Sequence, residues 1–332
     1  MKKGAFFCNN QGNLDSVYGK GRKERVAEIV DLYPETITGE NFSTHAEGLR
    51  NLEVVFSTWG MLQLEKSELE QLPALEAVFY GAGSVKGFAE PLLEQGITLM
   101  SAWGANAVPV AEFTLAQTLL ACKGYFRNTR ECGSPQIRRS GRPFRGKGVF
   151  TETVGLIGIG MIGSLVCELL KPFELEVIVH DPYLSDEKAG ELGVEKVDLE
   201  ELFSRSYVIS NHLPNIPATR GMLDGELFAS MREDAAFINT GRGAQVVEGD
   251  LIGVLEKRAD LTALLDVTFP EPPEEDSAFY TLPNVQLSSH IAGSMNDEVV
   301  RMADYAIEEF LRWEQGEALK YQVTLEMLET MA

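Results

Sequence analysis

Short apolar runs recur along the chain, separated by amphipathic segments of ten or so residues, and that alternation predicts parallel sheets covered by helices. In the first third the runs are Gly4 to Cys8, Val54 to Ser57, Ala77 to Tyr80 and Thr98 to Ser101, with helical periodicity over Arg22 to Asp31 and Ser67 to Leu72. A second set, Val154 to Ile159, Glu176 to His180, Val208 to Asn211, Ala236 to Asn239, Ala263 to Val267 and Val285 to Ser288, predicts a second sheet. Between them, Val108 to Phe126 places Val110, Phe113, Thr114, Gln117, Leu120 and Ala121 at three-and-four spacing beside further apolar positions. Such a segment is too apolar for a simple surface helix and is expected to be buried on several sides, between domains or between subunits. The last amphipathic stretch, Asp297 to Glu314, follows a Gly293-Ser294 break and is expected to cross back onto the first unit. The pattern therefore predicts an α/β chain with two doubly wound lobes.

Length and composition narrow the function classes. At 332 residues the chain has room for roughly two domains, and 44% hydrophobic against 24% charged residues is the balance of a folded protein. The formal charge of −21 would repel phosphate backbones and anionic lipid, which argues against nucleic-acid and membrane partners. No apolar run is long enough to span a bilayer, and Met1-Lys2-Lys3-Gly4 leads only into a short apolar stretch, so a cytoplasmic protein is expected. Cys8, Cys122, Cys132 and Cys167 are scattered at no metal or disulfide spacing, and no metal is expected. One local departure is basic: Lys123, Arg127, Arg130, Arg138, Arg139, Arg142, Arg145 and Lys147 face a single acid, Glu131. That stretch reads as a solvated connector pairing with acidic surface elsewhere; a cationic rim that draws in anionic ligands is the alternative.

Where the first strand of the second set turns into a helix, Gly158, Gly160 and Gly163 form G-x-G-x-x-G within Thr153-Val-Gly-Leu-Ile-Gly-Ile-Gly-Met161-Ile162-Gly163. In that context the first glycine permits a tight turn, the second lets a pyrophosphate approach the backbone, and the third lets helix pack on strand. The helix N-terminus offers N–H groups and a positive dipole to the phosphates. Asp181 closes the next strand about 20 residues on, where a carboxylate can accept from both adenosine ribose hydroxyls and would repel a 2′-phosphate. NAD is therefore expected over NADP; an aspartate merely capping the turn before Pro182 is the competing reading.

Arg242, Glu271 and His290 lie just past three later strands, and in an open parallel sheet ligands collect at the carboxyl ends of strands. The ordered series Val154-Gly-Leu-Ile-Gly-Ile-Gly-Met-Ile-Gly163, His180-Asp-Pro-Tyr183, His212-Leu-Pro214 with Thr219, Ile238-Asn-Thr240-Gly-Arg-Gly243, Leu265-Asp266-Val267 with Glu271-Pro272, and His290-Ile-Ala-Gly293 resembles the D-isomer-specific 2-hydroxyacid dehydrogenase family over essentially the whole chain. The resemblance implies a flavodoxin-like substrate domain, 1–104 with 297–332, and an inserted Rossmann NAD-binding domain, 105–296. It implies NAD-dependent interconversion of a small 2-oxo acid and its D-2-hydroxy acid.

By that similarity Arg242 clamps the substrate carboxylate and C2 oxygen, His290 is the acid/base, and Glu271 pairs with His290, orienting it and stabilising its charged form. Ala82 and Gly83, in Tyr80-Gly-Ala-Gly-Ser84, match the turn whose N–H groups hold the substrate carboxylate. Gly158, Gly160, Met161, Ile162, Gly163, Asp181, His212, Pro214, Thr219, Thr240 and Asp266 match cofactor-binding positions, with Asp266 on the nicotinamide carboxamide. A homodimer is implied, with 108–126 and the basic stretch as its contact. Cleft closure is expected to bring Gly81 to Ser84 over Arg242 and His290, and the C-terminal regulatory domain of some phosphoglycerate dehydrogenases is not expected here. The family's acidic continuation after that turn is here Ser84-Val-Lys86-Gly-Phe88, and its Pro-Gly step is Trp103-Gly104, so Lys86 and Trp103 are expected to reshape the substrate pocket or to face solvent and core. Two other readings share the fold: an NAD(H)-sensing protein of corepressor type, and a formate dehydrogenase, which carries Gln where Glu271 stands.

Overall fold

The computed structural model describes residues 1–140 and 146–328. Arg142 and Arg145 of the basic stretch, and the last four residues of the expected substrate domain, lie outside them. The chain divides into two compact units, Met1–Asn106 with Ser294–Ala332, and Ala107–Gly293.

Among the described residues the first unit carries six strands: β1 (Lys3–Phe7), β2 (Asp31–Leu32), β3 (Val54–Ser57), β4 (Ala77–Tyr80), β5 (Thr98–Ser101) and, from the far end of the chain, the strand Gln322–Val323. Their order is β2-β1-β3-β4-β5, all parallel, with Gln322–Val323 antiparallel on the β5 edge. This is the flavodoxin-like order. The apolar strands are buried on both faces, as parallel sheets under helices must be. Phe56 stacks on Phe79 at 5.5 Å, and Phe310 from the helix Val300–Glu314 meets both rings at 5.4 Å. Met302, Ala303, Ala306, Ile307 and Phe310 form the buried stripe of that helix, which is why the C-terminal segment belongs to this unit.

The second unit holds seven parallel strands: β6 (Thr153–Ile157), β7 (Glu176–His180), β8 (Glu195–Lys196), β9 (Val208–Asn211), β10 (Ala236–Asn239), β11 (Thr262–Leu265) and β12 (Val285–Leu287). The Gln322–Val323 strand is then β13. The order β8-β7-β6-β9-β10-β11-β12 is the dinucleotide-binding arrangement extended by one strand. Alternation along the strands fills a core on each face. Val154, Leu156, Val208, Ile238 and Leu264 lie on one side, and Ile157, Ile209, Phe237, Ala263 and Leu265 on the other. The sheet reverses order between β6 and β9, and the glycine turn leaves β6 there.

Four expectations need correction. The predicted helix over 108–126 runs instead over Trp103–Cys122 and stops at Gly124, whose φ of +63° is left-handed; a second helix, Tyr125–Glu131, follows. The basic stretch is therefore partly helical, with a further segment at Pro135–Ser140. Arg127 pairs with Glu131 at 2.9 Å and with Asp234, while Arg130 donates to the carbonyls of Ala259 and Pro283. The expected helix over 67–72 shortens to Lys66–Leu69. Of the segment 297–314, the first turn is 3-10 helix, Asn296–Val299. No helix among the described residues is long and apolar enough to cross a membrane.

Candidate functional site

The glycine turn has the space its sequence requires. Gly158 sits at φ +84°, its N–H donating to the His180 carbonyl at 2.9 Å, and a Cβ there would stand 3.0 Å from the His212 backbone. A Cβ on Gly163 would come within 2.1 Å of the Gly158 oxygen, so the third glycine is fixed by helix packing. Nothing lies within 4 Å of a Cβ on Gly160, so the middle of the turn faces open space. The helix Met161–Leu170 starts there, and Ser164 is the first residue to bond back, to Gly160 O at 3.0 Å. The N–H groups of Met161, Ile162 and Gly163 therefore have no acceptor within the helix. This cradle fits a pyrophosphate.

Asp181 follows β7, and its two carboxylate oxygens are divided between two turns. Oδ2 accepts from the Ile159 N–H at 2.7 Å and Oδ1 from the Tyr183 N–H at 2.8 Å. The carboxylate thus fastens the glycine turn as well as its own, and each oxygen keeps acceptor capacity for a ribose hydroxyl. His212, after β9, lies 3.0 Å from the Ser210 hydroxyl through Nε2, while its buried Nδ1 has no partner. Burial pushes its pKa down to about 4, so the ring is neutral near pH 7. An orphaned buried nitrogen beside the glycine turn is what a site awaiting a ligand offers. Pro214 O accepts from the Thr219 hydroxyl at 2.6 Å and from Gln245 Nε2 at 3.1 Å. Thr240 pairs with Thr114 at 3.2 Å, hydroxyl to hydroxyl.

Arg242 sits in a loop fixed by buried amides. Asn239 Nδ2 donates to Arg242 O at 3.0 Å, the Arg242 N–H donates to Gln245 Oε1 at 3.0 Å, and Asn211 Nδ2 donates to Asn239 Oδ1 at 3.0 Å and to Gln245 Oε1 at 3.2 Å. The guanidinium is largely enclosed and donates from Nη1 to Gly241 O at 2.7 Å. Enclosure lowers its pKa from the ordinary value, and the negative charge of Glu271 opposes that shift, so the fork stays charged with a carboxylate nearby.

Glu271 Oε1 stands 2.6 Å from His290 Nδ1. His290 holds a left-handed backbone, φ +57°, a conformation that costs about 1 kcal/mol or more outside glycine and is kept by its surroundings. Those surroundings are Asp266. Its carbonyl accepts the His290 N–H at 3.1 Å, Oδ1 accepts from the Ser288 hydroxyl at 2.6 Å and the Ile291 N–H at 2.9 Å, and Oδ2 accepts the Ala292 N–H at 2.9 Å. Asp266 is thus the buried post around which the histidine turn is wound. Arg242, Glu271, His290 and Asp266 all come together at the carboxyl edge of one sheet. With Nδ1 engaged by Glu271, Nε2 is the ring nitrogen left to exchange a proton with a ligand. No group of His, Cys, Asp and Glu able to hold a metal occurs among the described residues.

Ala82 and Gly83 lie in the other unit, at the carboxyl end of β4. Thr58 Oγ1 donates to Gly81 O at 2.8 Å, and Ser101 Oγ to Ala82 O at 2.9 Å and Gly83 O at 2.5 Å. Both hydroxyls are buried, and nothing lies within 4 Å of a Cβ on Gly83. Lys86 is exposed, whereas Trp103 packs edge-on against Tyr321 at 5.7 Å and so belongs to the core of its unit.

Sequence reasoning missed Asn211, Asn239, Gln245 and Ser288, which build the two loops. A polar residue closing an otherwise apolar strand was the available signal for Asn211 and Asn239.

The profile of the D-isomer specific 2-hydroxyacid dehydrogenase NAD binding domain matches residues 115–292. This chain belongs to that family. It is 32% identical over 243 residues to YoaD of Bacillus subtilis (strain 168), named for the 2-hydroxyacid dehydrogenases, covering 69% of this chain and 67% of YoaD. It is 29% identical to the D-3-phosphoglycerate dehydrogenase of Methanocaldococcus jannaschii over 87% of this chain; that match spans about half, 54%, of the longer relative. The fold is that of the D-isomer specific 2-hydroxyacid dehydrogenase of Lactobacillus delbrueckii ssp. bulgaricus in its NAD-complexed form, with a TM-score of 0.74, 21% identity, and coverage of 97% of this chain and all of that one. The segment that supplies the glycine turn, Arg242, Glu271 and His290 is thus the family's NAD binding domain.

Proposed function

We propose that this chain is an NAD-dependent oxidoreductase that interconverts a small 2-oxo acid and its D-2-hydroxy acid. The observation that carries the reading is the 2.6 Å pairing of His290 Nδ1 with Glu271 beside an enclosed, permanently charged guanidinium. Bound NADH supplies the hydride that reduces the C2 carbonyl carbon. Arg242 presents a planar fork to the substrate carboxylate and C2 oxygen. The protonated His290 ring gives its Nε2 proton to that oxygen, and in the oxidative direction neutral Nε2 removes the hydroxyl proton. Glu271 keeps the ring in the tautomer and orientation that leave Nε2 free.

Gly158, Gly160, Met161, Ile162 and Gly163 hold the pyrophosphate, and Asp181 the adenosine ribose. His212, Pro214, Thr219, Thr240 and Asp266 line the remainder of the cofactor site. In this reading the unit with Ala82 and Gly83 is the substrate domain, and the protein is a cytoplasmic homodimer.

The test is a panel of 2-oxo acids with NADH and with NADPH, using the wild type, His290→Asn and Glu271→Gln. The reading expects turnover with NADH in preference to NADPH, with both variants losing at least 100-fold in kcat. Dinucleotide binding without turnover of any 2-oxo acid would return the sensor reading. Full turnover by His290→Asn would remove the acid/base assignment.

A further inference from the structure

The loop that carries Glu271 is poor in the groups that normally fasten a loop. In Phe269-Pro270-Glu271-Pro272-Pro273 three of five residues are proline, so only Phe269 and Glu271 have a backbone N–H to donate. Its largest side chain does not anchor it either, since Phe269 is 64% exposed. What fastens the loop comes from outside. Gly243, next to Arg242, lets the Thr268–Phe269 peptide lie against its own backbone, where a Cβ would meet Thr268 C at 2.0 Å. Glu248, the first residue of the helix Glu248–Lys257, accepts the Phe269 N–H on Oε1 at 2.7 Å. Thr268 and Tyr280 hydroxyls hold the carbonyls of Pro270 and Pro273 at 2.8 and 3.2 Å. Burial raises the Glu248 carboxyl above its ordinary range, and the Phe269 N–H pulls it back. This half-buried carboxylate has no ion-pair partner among the described residues.

We propose that Glu248 is a positioning residue for proton transfer: by accepting the Phe269 N–H it seats the proline-rich loop so that Glu271 stays on Nδ1 of His290. The proposal rests on the acid/base reading above and extends it to a residue that touches neither substrate nor cofactor. Arg242 has supports of its own, the hydrogen bonds of Asn239 and Gln245, so loss of Glu248 should disturb the proton-transfer pair far more than the substrate clamp.

The experiment is a double-mutant cycle in the full chain, read as kcat, KM for the best 2-oxo acid, and NADH Kd by fluorescence. Glu248→Ala is expected to lower kcat on the order of 10- to 100-fold, the cost of a displaced catalytic group, with KM and Kd within about twofold. Glu248→Gln keeps an acceptor at the same place and should restore most of the loss. In a Glu271→Gln background, Glu248→Ala should cost less than about twofold more, because the residue through which it acts is already disabled. A kcat for Glu248→Ala near wild type, while Glu271→Gln is impaired, would overturn this proposal alone. So would a Glu248→Gln variant as impaired as Glu248→Ala, or additive losses in the cycle. If Glu271→Gln itself kept full activity, the acid/base reading beneath it would fail instead.

Discussion

The carboxyl edges of the two sheets are built from different chemistry. In the first unit the Gly81–Ser84 turn is held by two buried hydroxyls, Thr58 and Ser101, which occupy the carbonyls of Gly81, Ala82 and Gly83. In the second unit the corresponding edge is ionic: Asp181 and Asp266 hold turns, and Arg242, Glu271 and His290 converge. Neutral hydrogen bonds are each worth about 1 kcal/mol net. The Glu271–His290 pair, with side chains 39% and 48% exposed, is screened by solvent and worth no more than that to stability, so the ionic edge differs in its chemistry rather than in its hold on the fold. On the proposed function the difference separates a part that positions from a part that reacts, and it predicts a gap in how much single substitutions cost in turnover.

The largest effect belongs to the guanidinium. Arg242→Gln should lower kcat/KM for 2-oxo acids on the order of 100- to 1000-fold, with NADH Kd within about twofold. Arg242→Lys should recover little, because a point charge cannot reproduce the fork. Steady-state kinetics beside a fluorescence titration check both statements. A lysine variant near wild type would show that this edge uses charge without geometry, and the contrast between the two units would shrink.

The next effect is on stability. His212 is buried neutral with its pKa pushed down to about 4, below the roughly 6.5 expected when unfolded. Between those values the unfolded chain binds a proton that the native chain does not, so stability rises with pH and is lost as pH falls from about 6.5 toward 4. The loss is on the order of 3 kcal/mol for the full interval of about 2.5 pH units. His212→Asn should flatten that part of the profile. Denaturant unfolding of wild type and variant at pH 7 and pH 5 measures it, and parallel profiles would mean that His212 is not the group responsible.

The same contrast governs how much could be read from the sequence. Glu176–His180, Val208–Asn211 and Ala236–Asn239 were legible because buried parallel strands are apolar runs with sharp polar ends. The two-residue edge strands Asp31–Leu32 and Gln322–Val323 were not, since so short a segment has no period. Gln322–Val323 is placed by the buried Glu309, whose Oε2 accepts the N–H groups of Lys320 and Tyr321 at 2.7 and 3.0 Å. Arg242, Glu271 and His290 were legible because they are polar residues just past strand ends, where ligands collect in an open parallel sheet, and because they match the family's ordered motifs. Their supports were silent. Ser101, Thr58, Gln245 and Glu248 act on backbone groups of segments distant in the chain, and ordinary residue types bonding to backbone leave no pattern. Resemblance to a family pointed to Ala82 and Gly83, but the hydroxyls of Thr58 and Ser101 behind them lie far away in the chain and leave no mark in the sequence.

Ser101 offers the smallest and most discriminating prediction. It is fully buried, and its single hydroxyl hydrogen is shared between two carbonyls of the turn. Ser101→Ala removes about 1 kcal/mol of neutral hydrogen bonding and leaves those carbonyls to relax, which corresponds to roughly a fivefold change in an equilibrium constant. If the turn presents N–H groups to the substrate carboxylate, that change should appear as a roughly fivefold rise in KM for the 2-oxo acid, with kcat and NADH Kd near wild type. A loss in kcat comparable to that of Arg242→Gln would place the turn among the reacting groups and abolish the division of labour between the two edges. An unchanged KM would mean that substrate is held by Arg242 without the turn.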